Sequence, residues 1–342
     1  MTGEGRQFVE FATRETLAKT GIGFLVAVVF LYLVAVGLGV EKVSQALAGA
    51  EWEWVALGCL STAFCLAAWG KAWQIVLQVV GIDVPYRRLV VTYFAATFAN
   101  YVTPLGQAGG EPFIAYVLSR DTDASYEDSL ASVVTADLLN LLPFFSFAAV
   151  GLGVLLTRPS LPAATRPLAF GLFGMAVGIP ALTGAGWFWR ERVRSGILRL
   201  VAPVAKRTSR VSVAGAAERL DDLYAAFGRV AQDPRALVKA VGFAYVGWVF
   251  FALPLYCAGQ ALGVDISPLT VLFVVPASTL AGMVPTPGGL GGVEAALVAL
   301  LVAVAIESAA LALAIALVYR VVSYWFALGV GGTAALTVVK RA

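Results

Sequence analysis

Long apolar runs dominate the chain, at 21–40, 55–80, 130–156, 168–189, 236–262 and 309–339. Each reaches the length of about 20 residues that a helix needs to cross the hydrocarbon core. Two further apolar stretches are interrupted. The first, 89–118, is broken by Thr103-Pro104-Leu105-Gly106-Gln107-Ala108-Gly109-Gly110-Glu111-Pro112, and the second contains Pro285-Thr286-Pro287-Gly288-Gly289-Leu290-Gly291-Gly292-Val293-Glu294. Proline withdraws a backbone donor and glycine widens the allowed φ/ψ space, so helices are expected to stop at both places. The halves on either side are too short to cross alone. The pattern predicts an all-α, polytopic integral membrane protein with six full spans and two broken, re-entrant helical hairpins. Eight or more membrane helices result if each hairpin crosses fully.

The two breaks are related to each other. Residues 103–111 align without gaps on 286–294, sharing Thr, Pro, two Gly and Glu at an offset of 183. Both segments hold the same place relative to their flanking spans, which implies an inverted repeat with hairpins dipping in from opposite faces. The expected organisation is a first membrane repeat at 1–160, the first span of the second repeat at 161–189, a basic cytoplasmic amphipathic connector at 190–235, and the remainder of the second repeat at 236–342.

Charge sets the orientation. The connector carries ten Lys and Arg residues, whereas the loop 263–268 has none. Cytoplasmic loops accumulate Lys and Arg, so both termini are expected inside and the chain is expected in the cytoplasmic membrane. The first run follows the mixed-charge stretch of Arg6, Glu10, Arg14, Glu15 and Lys19, and reads as a membrane helix rather than a signal peptide. Within the connector, Val213, Leu220, Leu223, Tyr224 and Phe227 recur at helical spacing, predicting an amphipathic helix that lies on the bilayer or packs on the bundle.

Composition narrows the chemistry. The 342 residues are 60% hydrophobic and 13% charged, and the net charge of +3 gives a nucleic-acid partner no support. With no histidine, serine–histidine, cysteine–histidine and histidine-zinc chemistry are excluded. Cys59, Cys65 and Cys257 lie inside apolar runs and read as packing residues. No metal and no cofactor is expected.

Ionisable residues inside membrane segments are costly and point to function. Glu111 and Glu294 stand where the half-helices begin, so each is open to two roles: capping the helix, or meeting substrate or a proton. The offset of 183 also pairs Asp137 with Arg320, each near the middle of a predicted span. Lys71 is a third such residue. They are expected either to neutralise one another or to line a polar path, with Asn100, Asn140, Gln107 and Ser323 adding hydrogen bonds. Helix-break positions are Pro104, Gly106, Gly109, Gly110, Pro285, Pro287, Gly289, Gly291 and Gly292.

Phe98, Asn100, Thr103-Pro104-Leu105-Gly106 and Gly109-Gly110-Glu111-Pro112, with the later Pro285 to Glu294 motif and Tyr319-Arg320, make a pattern that resembles the lysylphosphatidylglycerol synthase-type transmembrane family, also called flippase-like membrane proteins. The resemblance implies movement of lipids or lipid-linked headgroups between leaflets. In some relatives this membrane unit is joined to an aminoacyl transferase, in others to a glycosyltransferase; here only the membrane part is expected. Two positions depart from the family pattern, which has Arg where Ile114 and Asp137 stand, leaving Lys71, Arg320 and the half-helix ends as anion contacts.

The expected function is therefore translocation of a lipid headgroup through a midplane polar cavity between inverted repeats, with Glu111 or Glu294 exchanging a proton to couple transport. Partners would be membrane lipids with anionic or glycosylated headgroups, a cytoplasmic or membrane enzyme, and a second copy of the chain. Two alternatives stand beside it: a non-catalytic scaffold for a lipid- or glycan-modifying enzyme, and an intramembrane lipid-modifying enzyme that uses the paired glutamates.

Overall fold

The computed structural model describes residues 32–103, 110–122, 124–156, 188–205, 212–283, 286–304 and 306–339, with scattered positions among 21–29 and 170–185. The predicted spans 21–40 and 168–189 are therefore described only in part. Pro104, Gly106, Gln107, Gly109 and Pro285 lie outside the described residues.

Helices follow one another in chain order: α1 (Val40–Ala48), α2 (Trp52–Val79), α3 (Tyr86–Val102), α4 (Gly110–Asp121), α5 (Tyr126–Leu156), α6 (Arg190–Ala205), α7 (Val213–Gln232), α8 (Pro234–Ala261), α9 (Pro268–Thr279), α10 (Gly292–Val304), α11 (Ala309–Arg320) and α12 (Phe326–Val339). A π-helical turn, Val321–Trp325, joins α11 to α12. Among the described residues five helices are long and apolar enough to cross a bilayer: Trp52–Val79, Tyr126–Gly153, Pro234–Ala261, Pro287–Val304 and Ala309–Val338. Many of their outward side chains are apolar. Leu57, Leu60 and Phe64 on α2, and Val238, Val246 and Val249 on α8, are exposed, a distribution suited to lipid and poorly suited to water. The protein is an all-α, polytopic membrane protein.

The helices flanking the two interrupted stretches are short. α3 has 17 residues and α4 has 12, whereas α9 has 12 and gives way to a 3₁₀ turn at Leu280–Met283. At about 1.5 Å per residue, a 12-residue helix covers only about 18 Å.

The chain forms two compact units, each made of separate segments of the sequence. One comprises Met1–Thr62, Phe94–Gly110 and Phe251–Ala335, and the other Ala63–Tyr93, Glu111–Phe250 and Leu336–Ala342. In the first, α10 packs against both α9 and α11. α11 also packs on α1, through Ala310, Leu313 and Ala314 against Val43. In the second, α5 packs against α7, which in turn packs on α6. The connector helix therefore docks on the bundle, with Val230 buried, while Val213 at its start is exposed. Arg194 on α6 grips Asp221 on α7 with two hydrogen bonds of 2.7 and 2.8 Å.

The three cysteines are free thiols, with Cys65 and Cys257 buried in the packing.

Candidate functional site

The second break is built from backbone that only glycine adopts easily. Pro287–Gly289 makes a single 3₁₀ turn in which Gly288 has φ +57°, and a Cβ at this position would run into the Tyr324 ring. Gly291, at φ +87°, then redirects the chain into α10. Its N–H donates to Glu294 Oε2 at 2.6 Å, so Glu294 reaches back from the first turn to cap its own helix. The opposite carboxylate oxygen, Oε1, accepts from Arg320 Nε at 2.7 Å. Arg320 Nη2 spends a further hydrogen bond on the Gly288 carbonyl at 2.9 Å, and its guanidinium lies 4.3 Å from the centre of the Tyr324 ring. Tyr324 closes the knot by donating to the Tyr101 carbonyl at 3.2 Å, which ties the end of α3, beside the first break, to the second.

This ion pair is almost dry. The Glu294 and Arg320 side chains are 1% and 10% exposed. Both carboxylate oxygens are satisfied and the guanidinium is shared between a carboxylate, a carbonyl and a ring, the condition under which a buried charge pair is tolerated. The pair sits beside the π turn, where helical hydrogen bonding is irregular. Thr62 Oγ1, from α2, donates to the Val322 carbonyl of that turn at 2.8 Å.

The other unit holds the counterpart of this pair. Glu111, in the first turn of α4, is half-buried, and its carboxyl lies near enough to that of Asp137 on α5 for the two to influence each other electrostatically. Trp73 Nε1, from α2, donates to Asp137 Oδ1 at 3.0 Å, and the Trp73 ring is set edge-on to Tyr93 with centroids 4.6 Å apart. Asn140 lies one turn further along α5. Its side-chain Oδ1 is buried without a hydrogen-bond partner, while its backbone carbonyl accepts from Trp248 Nε1 at 3.0 Å. Each glutamate thus lies near the ionisable residue 26 positions after it, Glu111 near Asp137 (137 − 111) and Glu294 near Arg320 (320 − 294).

Lys71 does not neutralise Asp137. It donates to Gln74 Oε1 at 2.6 Å and lies 5.2 Å from the Tyr86 ring centre, and Tyr86 is anchored by its hydroxyl on the Ala67 carbonyl. Arg320–Glu294 and Arg194–Asp221 form ion pairs. Asn100 lies half-buried near the end of α3, and Ser323 bonds the Tyr319 carbonyl. Gly110 and Gly292 open the two half-helices, and Pro287, Gly289 and Gly291 form the turn before the second.

Trp73, Tyr324 and Tyr101 escape a reading of the sequence, because an aromatic residue in a membrane helix carries no signal that it holds a charged group. Trp73 alone had a marker, its place two residues after Lys71 in a polar interruption of α2.

The match to known proteins covers nearly the whole chain. Residues 21–331 match the family described as the lysylphosphatidylglycerol synthase TM region. A UPF0104 membrane protein of Methanothermobacter thermautotrophicus is 26% identical, with 92% of this chain aligned to 94% of that protein. Another, from Pyrococcus horikoshii, is 23% identical over 86% of this chain and 90% of its own length. With its interrupted helices and their paired ionisable residues, this chain belongs to the lysylphosphatidylglycerol synthase transmembrane-region family.

Proposed function

We propose that the protein moves a lipid or lipid-linked headgroup across the cytoplasmic membrane, while the acyl chains stay in the bilayer. The observation that carries this reading is the recurrence of one polar device in two interrupted helices: a glutamate at the start of a half-helix, set near an ionisable partner 26 residues on. Ionisable groups inside apolar helices are costly, and in transporters they mark the substrate and ion path. The short lengths of α3, α4 and α9 support re-entrant hairpins, and the positive connector supports cytoplasmic termini.

Arg320 and Lys71 are each engaged within the protein, on Glu294 and on Gln74, so an anionic headgroup would have to compete for them. The amide end of α10 is filled by the carboxylate of Glu294, so an anion reaching it displaces the chain's own cap. The test is a leaflet-accessibility assay in liposomes holding the full chain, with fluorescent lipids of differing headgroup. Wild type is expected to move at least one lipid class, and Glu111→Gln and Glu294→Gln to slow or abolish that movement. Absence of movement for every headgroup, with or without imposed gradients, would sink the translocator reading.

A further inference from the structure

We infer that α6 is an interfacial helix whose exposed face binds the anionic headgroups of the membrane leaflet beside it. The inference stands whether or not the protein moves lipid.

α6 continues from a membrane segment. It follows directly on the predicted span 168–189, and Trp189 already belongs to its first turn, where the Trp189 carbonyl accepts from the Val193 N–H at 3.0 Å. The 16 residues of α6 cover about 24 Å and carry Arg190, Arg192, Arg194 and Arg199. Such a helix is too short and too charged to cross the hydrocarbon core, so it runs along the membrane surface.

Two sides of the helix have different tasks. Arg194 grips Asp221 and ties one side to α7. At about 100° per residue, Trp189, Val193 and Leu200 fall within about 40° of one another, and about 120° around the axis from Arg194. All three are exposed, Leu200 to 76%, and Phe188 just before them is exposed to 85%. Transfer of this stripe from water into the boundary between headgroups and acyl chains is favourable in proportion to the apolar area removed. Trp189 suits that level, since its ring is apolar and its N–H is a donor. α7, by contrast, already has partners, because it packs on α5 as well as on α6.

Charge selects the kind of lipid. Arg192 and Arg199 are both exposed and share one flank of the stripe, about 90° from its centre. An arginine placed there lays its aliphatic stem along the apolar surface and sets its guanidinium among the headgroups, where a phosphate accepts two N–H bonds at once. Glu191, the acid of this helix, stands on the side opposite the stripe. Between positions 190 and 210 the sequence holds seven Lys or Arg residues and one acid. A second copy of the chain would bring the same positive charge to the same face, whereas an anionic leaflet brings the complementary one.

The test places a nitroxide at L200C, and for reference at S195C, in the full chain with its three cysteines replaced by alanine. The protein is held in vesicles of phosphatidylcholine, with or without phosphatidylglycerol. Ser195 is exposed on the side turned away from the stripe. Accessibility to oxygen, which concentrates in lipid, is compared with accessibility to a nickel chelate, which stays in water. In anionic vesicles the L200C label is expected in lipid and the S195C label in water. The ratio of inserted to water-exposed α6 is expected to fall about fivefold for each of R192Q and R199Q, and to fall also in neutral vesicles and at raised salt. Unchanged helical content identifies variants that have folded, and the comparison of the two vesicle types needs no arginine variant. An L200C label that meets water equally in both vesicle types overturns the inference. Insertion that ignores lipid charge and both arginines also overturns it, because α6 would then bind through apolar burial alone. Protection from both reagents that disappears as the protein is diluted in lipid overturns it as well, giving the surface to a second copy of the chain.

Discussion

Arg320 shows what a single residue does here. Its guanidinium satisfies Glu294, the Gly288 carbonyl and the Tyr324 ring at once, in a place where water cannot take over any of the three. Removing one partner of a buried pair leaves an uncompensated charge and costs about 3–5 kcal/mol. Arg320→Met is therefore expected to destabilise the protein by about that amount, measured as thermal unfolding of the detergent-solubilised chain. The double variant Arg320→Met with Glu294→Gln removes the orphaned charge as well and is expected to recover most of the loss, so the two effects are strongly non-additive. Additive losses would show that the pair contributes as two independent contacts. Both glutamates and both partners were visible beforehand, since a charge inside an apolar run stands out. Their pairing was not: contact between residues 26 apart depends on how the interrupted backbone folds back, and no local periodicity encodes that.

At the level of elements, the docking of α6 on α7 turns on Arg194 and Asp221. The hydrogen bond from Arg194 holds the Asp221 carboxyl below its ordinary value of 3.8. A depressed carboxyl contributes stability above its ordinary value, and that contribution disappears as the pH falls through the lowered one. Amide exchange across residues 190–232 is expected to accelerate below pH 3.8 in wild type, and Asp221→Asn is expected to show the faster exchange already at neutral pH. Both groups are solvent-exposed, so raised salt should weaken the contact. The amphipathic pattern of α7 foretold an apolar face but left its partner open, because bilayer and bundle reward the same spacing. Packing on α5 settled that choice.

For the whole molecule, the proposed orientation rests on charge: a connector of ten Lys and Arg residues is expected on the cytoplasmic side. Ser195, exposed on α6, gives a place to test it. In intact cells an impermeant thiol reagent is expected to miss S195C and to label it once the membrane is opened. Labelling from outside would reverse the proposed topology. The translocation assay belongs to the same scale, since it asks both repeats to act in one cycle, and the pair-specific variants then say which polar site limits the rate.

Membrane residence and helical class could be read from the linear chain, as could the second helix break at the Pro287 to Gly291 turn. Each rests on local chemistry: the length of an apolar run, the missing donor of proline, the freedom of glycine, a charge out of place. The linear chain left open whether Glu294 caps its helix, binds Arg320, or does both, and it gave no hint that Asp137 takes Trp73 rather than Lys71 as its partner. Those outcomes depend on which helix faces lie together, and side chains far apart in the chain meet only after packing has chosen them. The offset alone made Asp137 and Arg320 equivalent positions; folding made one of them the partner of a buried salt bridge and left the other an acid held by the indole of Trp73, because helix packing brought a guanidinium to Glu294 and an aromatic N–H donor to Asp137.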